Sequence, residues 1–239
     1  MNPTAIEAPN NFLDVRAFHV KFGQPTDVDD NGLTRPVSIL PRDQFLFRKR
    51  FLFEEADEYA VAYNKRNLVS CVDSLIDLVY VTYGTALFMG AGAGFFTRQA
   101  WPTFTQVQAA GVLYGYLAGR PREPHFLDQK MHEVFHHMLQ NQIKLFEMVH
   151  ESGDRGAVPL AMCALWDLAY GAMMTAAMMS APWEACWAHV QNANMAKERA
   201  RPDGSNSARQ SGWDVVKPTG WTPPDVMIKQ ELILAGAKL

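Results

Sequence analysis

Six carboxylates on two neighbouring predicted helices are the residues of this 239-residue chain best suited to chemistry. They are Glu54, Glu55, Asp57, Glu58, Asp73 and Asp77. Glu54 and Glu58 are four residues apart, as are Asp73 and Asp77, so each pair shares one face of a helix. Asp77 lies within an apolar run, where a lone carboxylate is costly to bury. We therefore expect a cation between the two helices. Hard oxygen ligands favour Mg²⁺, for which Mn²⁺ can substitute.

A site of this kind orients a water molecule for attack and neutralises the charge of a polyphosphate. The alternative is a solvated acidic face whose carboxylates pair with Arg48, Lys49 or Lys65. Asp77 argues against that alternative, because its neighbours on both sides are apolar and it is not expected to face bulk water.

Apolar residues recur at helical spacing through most of the chain, and this pattern predicts seven helices. Asn10 or Asn11 caps the first, which ends at Gly23. The others are predicted at about Pro41–Asn64, Val69–Gly90, Trp101–Leu117, Phe126–Glu151, Ala157–Ser180 and Trp183–Arg199. The tail after residue 200 is rich in Gly, Pro, Ser and Asp, and it predicts an irregular loop with a short strand at Trp213–Lys217. No alternating period-2 pattern indicates a larger sheet, so the predicted fold class is all-α.

The two halves of the chain share a weak internal repeat. The triplet at 12–14, FLD, recurs at 126–128, and Asp77–Tyr80 has a counterpart at Asp167–Tyr170. We therefore predict a single domain over 1–239. It is a helical bundle of two tandem four-helix repeats, at about 10–120 and 124–200, followed by an irregular tail, 201–239. The alternative is one larger bundle of unrelated helices.

The predicted repeats differ in their polar residues. The second copy carries Ile143, Lys144 and Cys163 where the first has Glu54, Glu55 and Asp73, and only the second ends in Asn and Lys residues. This pattern suits a fused dimer in which one composite site survives.

Composition excludes several classes of protein. The formal net charge of −3 gives no general attraction to nucleic acid. Polar residues interrupt the long apolar runs at 78–96 and 160–187, which therefore predict core helices and no membrane span. Cys71, Cys163 and Cys186 are far apart, which predicts buried free thiols in a reducing cytoplasm. The first residues lack the pattern of a signal peptide.

Several motifs occur in a fixed order along the chain. They are Phe18–Pro25 (FHVKFGQP), Glu54-Glu55-x-x-Glu58, Asp73-x-x-x-Asp77, Asn194-x-x-Lys197, Lys217 and Gly220–Asp225 (GWTPPD). Over about residues 12–90 and 183–226, this set resembles the MazG-like all-α NTP pyrophosphohydrolases. Many members of that family carry Glu at the position of Ser74, so here Asp73 is expected to supply that oxygen.

The resemblance implies Mg²⁺-dependent hydrolysis of a nucleoside triphosphate to the monophosphate and pyrophosphate, in a bundle of two four-helix units. It assigns the metal-binding and catalytic roles to Glu54, Glu55, Glu58, Asp73 and Asp77. It places Asn194, Lys197 and Lys217 near the phosphates as substrate-binding residues. His19 is a further candidate for substrate binding, and the alternative is a packed or surface histidine. Short members, often encoded by phages and bacteria, trim deoxynucleotide pools, so a deoxynucleoside triphosphate is the expected substrate. The fused repeat is expected to act alone or as a homodimer.

Two other functions remain open at this stage. A non-catalytic nucleotide-binding helical protein would be the result of a decayed repeat. The sequence His132-Glu133-x-x-His136 matches the HExxH pattern of zinc hydrolases, in which two histidines on one helical face bind the metal. No third ligand is evident for it.

Overall fold

The computed structural model describes residues 11–93, 102–117, 119 and 121–239. It confirms the all-α class, because helices dominate and the only sheet in these residues has two short strands. The α-helices are α1 (Asn11–Phe22), α2 (Arg42–Asn64), α3 (Leu68–Phe88), α4 (Phe104–Leu117), α5 (Gln129–Ser152), α6 (Val158–Met178), α7 (Trp183–Met195) and α8 (Asp225–Leu234). The strands are β1 (Glu198–Arg199) and β2 (Val215–Val216). The predicted cap Asn10 and the predicted helix start Trp101 lie outside the described residues.

Two helical hairpins, α2–α3 and α5–α6, form the centre of the bundle. The hairpins pack together through α3 against α6 and through α2 against α5. Local signals set their ends: the Asn67 side chain accepts from the Ser70 backbone N–H at the start of α3, and Asp128 caps α5 in the same way. Helix α3 is buried along almost its whole length, so it fixes the position of any polar side chain that it carries.

The outer helices cross between the two halves. Helix α4 packs on α6, whereas α7 packs on α3, so each half covers the central helix of the other. This reciprocal arrangement favours the predicted tandem repeat. The second half departs from it in one respect: only α5, α6 and α7 lie between residues 124 and 200, with a 3-10 turn at Arg155–Ala157. That half therefore lacks a counterpart of α1, and the expected four helices were wrong for it.

The tail is more ordered than predicted. Strand β2 lies within the predicted segment Trp213–Lys217 and pairs antiparallel with β1. Helix α7 ends at Met195, earlier than expected, because the chain turns there into β1. Helix α8 contradicts the prediction of an irregular end, and it is held by Ile228 and Leu232, which are fully buried against α3 and α7.

The apolar helices are core helices of the bundle. Leu68–Phe88 and Arg155–Met178 are long and apolar enough to cross a membrane, but 89% and 61% of their most apolar windows are buried inside the fold. This burial favours a soluble bundle. Of the three free cysteines, Cys71 and Cys186 are buried as predicted, whereas Cys163 is exposed on α6.

Candidate functional site

A cleft of about 510 Å³ lies between α2, α3, the end of α7 and the tail. Four of the six carboxylates line it: Glu54, Glu55 and Glu58 from α2, and Asp77 from α3. Helical spacing places the three glutamates on adjoining positions of one face. Helix α3 packs along α2, so Asp77 meets them from the opposite wall.

Cationic and amide groups from the last third of the chain face these acids. Asn194 and Lys197 come from the end of α7, and Lys217 follows β2. The indole of Trp221 lies beneath both ammonium groups, with Nζ of Lys197 5.7 Å and Nζ of Lys217 4.4 Å from the ring centroid. Trp221 is fixed in turn, because its Nε1 donates to the carbonyl of Ala193 at 2.8 Å. The structure therefore brings these predicted residues together with the acids.

Arg209, in the loop between β1 and β2, holds one of the acids directly. Its Nε and Nη2 donate to the two carboxylate oxygens of Glu54 at 3.0 and 2.9 Å. Its Nη1 reaches both oxygens of Asp214 at 3.3 Å, and Asp214 also accepts from Ser207 Oγ at 2.6 Å. The guanidinium lies 3.8 Å from the ring centroid of Phe51. Arg209 therefore ties the tail to the acidic wall of the cleft.

The acids repel one another in this enclosed space. Burial raises the pKa of Glu55 well above its usual value, and the charges of Asp77 and Glu58 raise it further. Burial also raises the pKa of Glu58, again with a contribution from Asp77. For Asp77, burial raises the pKa while Lys197, Lys217 and Arg209 oppose the shift. One oxygen of Glu55, Oε2, is buried without a hydrogen-bond partner.

Two of the six acids lie outside the cleft wall. Asp57 is exposed and turns towards α5, where its Oδ1 accepts from Gln140 at 3.3 Å. Asp73 is partly buried one turn before Asp77, and its Oδ1 has no partner. Burial and the charges of Asp77 and Asp225 raise the pKa of Asp73 to about 8. Asp73 thus adjoins the predicted acid set without lining the cleft.

The donor set fits a hard divalent cation in its chemistry. Four carboxylates share the cleft, and the raised pKa values of Glu55 and Glu58 indicate a negative-charge density that a cation would relieve. Within the described ranges, however, no group of three or more His, Cys, Asp or Glu residues is arranged to hold a metal ion. Both carboxylate oxygens of Glu54 accept from Arg209 instead.

The inner end of the cleft is aromatic and carries two buried nitrogen side chains. Phe18, Phe47 and Tyr80 line it beside His19 and Arg48. Burial lowers the pKa of His19 to about 3, helped by Arg48, so the imidazole is neutral. Burial also lowers the pKa of Arg48, to about 9. His19 therefore lines the same cleft as the acids, as predicted.

The HExxH motif belongs to the packing between α5 and α2. The ring of His132 stacks on Tyr63 with centroids 3.6 Å apart, and its Nδ1 lies 3.2 Å from the hydroxyl of Tyr59. Glu133 is exposed and accepts from Gln129, one turn earlier. These contacts account for the positions of His132 and Glu133 without a bound metal.

The second half presents no equivalent acidic cleft among the described residues. Ile143, at the position matching Glu54, is fully buried in the core. Glu147, which matches Glu58, accepts from Lys49 Nζ at 2.7 Å. Among the described residues the clustered acids therefore face one cleft, and the tandem origin of the two halves stays a prediction.

Sequence reasoning missed Gln24, Arg48 and Arg209. A signal existed for Arg48, because helical spacing places Arg48, Leu52 and Glu55 on one inward stripe of α2. No local signal identified Arg209 as a cleft residue, since its partner Glu54 lies 155 residues away in the chain.

A comparison with protein families matches residues 15–91 to the model of phosphoribosyl-ATP pyrophosphohydrolase. That family is a member of the MazG-like all-α NTP pyrophosphohydrolase superfamily. The matched segment is less than half of the chain, and it contains all five acids predicted for the site. It confirms the resemblance for this segment and indicates a nucleotide pyrophosphohydrolase domain there. Searches of curated proteins and of solved structures give no significant match.

Proposed function

We propose that this protein is a Mg²⁺-dependent nucleoside triphosphate pyrophosphohydrolase, with Mn²⁺ as a substitute, that converts a deoxynucleoside triphosphate to the monophosphate and pyrophosphate. One observation carries the proposal: carboxylates from α2 and α3 and cations from the last third of the chain converge on one cleft. Acids that bind a cation and cations that bind phosphate are the two halves of a polyphosphate site. The match over residues 15–91 gives the same reaction class.

The two walls have different roles in this proposal. Glu54, Glu55, Glu58 and Asp77 would hold the metal, and Asp73 would support Asp77 from the next turn of α3. Bound Mg²⁺ would neutralise phosphate oxygens and acidify a water molecule. Asn194, Lys197, Lys217 and Arg209 would bind the phosphates, because they face the acids across the cleft.

The reaction itself needs only water as the second reactant. The water oxygen forms a bond to the α-phosphorus, and the bond from that phosphorus to the bridging oxygen of the β-phosphate breaks. Pyrophosphate then leaves with the electron pair of that bond. Glu55 and Glu58 are the acids best suited to accept the proton from the water, because burial and the neighbouring carboxylates raise their pKa values and so favour their protonated forms.

The direct test is to incubate the purified chain with Mg²⁺ and each common nucleoside triphosphate, and to measure pyrophosphate. Phosphoribosyl-ATP, the substrate named by the matching family, belongs in the same panel. The proposal predicts pyrophosphate and monophosphate in equal amounts, with loss of the reaction when EDTA is added. Orthophosphate as the first product would contradict it.

A nucleotide-binding protein without catalysis is the second candidate. The ion pair between Arg209 and Glu54 favours it, because this contact keeps the acids from forming a metal site in the described conformation. Nucleotide binding with no pyrophosphate release at any Mg²⁺ or Mn²⁺ concentration would select this candidate.

We propose further that the active protein is cytoplasmic, and that it works either as a monomer or as a homodimer of the fused repeat.

A further inference from the structure

Arg48 is a buried cation without an acidic partner in hydrogen-bond contact among the described residues. Only 3% of its surface is exposed. Its Nε donates to Thr85 Oγ1 at 3.0 Å and its Nη2 donates to the carbonyl of Val81. Both acceptors are neutral, Arg48 lines the cleft, and its guanidinium has no other acceptor among the described residues. A buried charge usually has a paired carboxylate, so this arrangement points to a ligand.

The cleft wall also contains acceptors beside these donors. Nδ1 of His19 lies 2.7 Å from the carbonyl of Pro25, so it carries the proton and leaves Nε2 as an acceptor. The Nε2 group of Gln24 donates to the carbonyl of Trp213 at 2.5 Å, which fixes the orientation of the amide. Its Oε1 is buried and has no partner within the described part of the chain. A buried acceptor without a donor is unfavourable, and a ligand donor would remove that cost.

Gly84 on α3 makes room for this group. A Cβ atom built on Gly84 would lie 2.8 Å from Arg48 Nη2 and 2.8 Å from His19 Nε2. Any side chain at this position would therefore displace both. Glycine lowers helix stability relative to alanine by about 1 kcal/mol, so its presence inside α3 has a steric reason.

Aromatic rings complete the enclosure. Phe18 and Tyr80 contact each other edge to face at 5.3 Å, and the guanidinium of Arg48 lies 5.6 Å from the centroids of both Phe47 and Phe51. Flat apolar walls with a few fixed polar atoms are the features of a pocket for an aromatic ligand. The acids that would hold the metal line the same cleft.

We propose that this inner end is a nucleobase subsite. Arg48 donates hydrogen bonds to two adjacent acceptor atoms of the base, while Gln24 and His19 accept from a neighbouring donor of the same base. Guanine presents that order at N7, O6 and N1–H, and cytosine presents it at O2, N3 and the 4-amino group. Adenine, thymine and uracil alternate acceptor, donor and acceptor along their edges, so they do not match a guanidinium fork. The subsite therefore selects guanine or cytosine nucleotides; this assignment rests on the proposed nucleotide function.

Binding of deoxynucleoside monophosphates tests the subsite separately from catalysis. Isothermal titration with dGMP, dCMP, dAMP and dTMP should show one of the first two binding roughly 10- to 100-fold more tightly than the last two, the discrimination expected of a bidentate arginine contact. Comparison of dGMP with dCMP then identifies which base is read. Equal binding of all four, or preference for dAMP or dTMP, would overturn the subsite even if pyrophosphate is released. Selective binding without pyrophosphate release would instead overturn only the proposed reaction.

Two variants and one control connect the preference to these residues. Arg48→Lys retains the charge but loses the planar fork, so the preference should fall by at least about tenfold. Gly84→Ala should have the same effect by displacing Arg48 and His19. Gly171→Ala, in the α5–α6 hairpin, is the matched control, because its new Cβ meets the side-chain ends of Met138 (Cε at 2.6 Å) and Leu139 (Cδ2 at 3.3 Å) and neither Arg48 nor His19. Folding of each variant is checked by its thermal transition. A folded Gly84→Ala protein that keeps the preference would contradict the proposal, whatever the fate of Arg48→Lys.

Discussion

Replacing Arg209 by glutamine should affect metal binding and catalysis in opposite directions. Arg209 holds both oxygens of Glu54, and the side chains are 18% and 34% exposed. An exposed ion pair contributes about 0.2–1 kcal/mol, and the bidentate geometry places this one at the upper end, near 1 kcal/mol. Mg²⁺ must overcome this contact in order to use Glu54. Its removal should therefore tighten Mg²⁺ binding about fivefold.

The same substitution should slow the reaction. Arg209 faces the cleft beside Lys197 and Lys217, so its charge would stabilise the phosphates as pyrophosphate forms. Loss of one such group lowers kcat by about 100- to 1,000-fold in comparable sites. The measurements are Mg²⁺ titration calorimetry and pyrophosphate release at saturating Mg²⁺.

Arg201→Gln is the control for this prediction. Arg201 is exposed in the same loop, and its side chain makes no hydrogen bond or ion pair in the described part of the chain. The Arg201→Gln variant should leave the Mg²⁺ affinity and kcat unchanged. If Arg209→Gln leaves Mg²⁺ affinity and kcat unchanged while its thermal transition falls, Arg209 serves only to fasten the tail, and the reasoning is refuted.

Three further predictions follow from the charges of the cleft. Asp73→Asn should raise the melting temperature by about 2–4 °C at pH 7.5 and leave it unchanged near pH 4. The folded-state pKa of Asp73 is raised to about 8, so the contribution of its protonated form to stability is present below pH 4 and is lost as the pH rises towards 8. An unchanged melting temperature of Asp73→Asn at pH 7.5 would show that the charge of Asp73 is already compensated in the folded protein. Adding Mg²⁺ should raise the melting temperature more at pH 8 than at pH 5, because protonated carboxyl groups bind the cation less well. An equal rise in melting temperature at both pH values would place the metal outside this cleft. Lys197→Met should lower kcat/KM by about 100-fold, and it should raise the pKa of Asp77, because that carboxyl group loses a compensating positive charge. An unchanged pH–rate profile in this variant would argue that Lys197 does not act on Asp77.

The acidic half of the cleft could be predicted because it depends on local spacing. Glu54 and Glu58 share a helical face whatever the rest of the chain does, and Asp77 in its apolar run had to face a polar partner. Asp57 shows the limit of that argument: it belongs to the same acidic turn, yet it faces α5. Only the packing of α5 against α2 decides which side of the turn is the cleft.

The cationic half could be predicted only through the family resemblance. Asn194 and Lys197 reach the acids because α7 crosses to pack on α3, a contact between distant parts of the chain. Arg209 is placed by a loop that two short strands hold in position, and no periodic pattern specifies such a loop. The sequence indicated Arg48 only as a partner of the acids on a solvated face, whereas its inward position follows from its place on the helical stripe that leads to Glu55.

The central claim is that one cleft performs the hydrolysis, with the acids of the first half. Pyrophosphate release from deoxynucleoside triphosphates by two matched variants, Glu58→Gln and Glu147→Gln, tests this claim most directly. Each removes one carboxylate from a corresponding helical position, α2 in one case and α5 in the other. The account predicts a loss of at least about 100-fold for Glu58→Gln and nearly full activity for Glu147→Gln. Full activity in Glu58→Gln would contradict it.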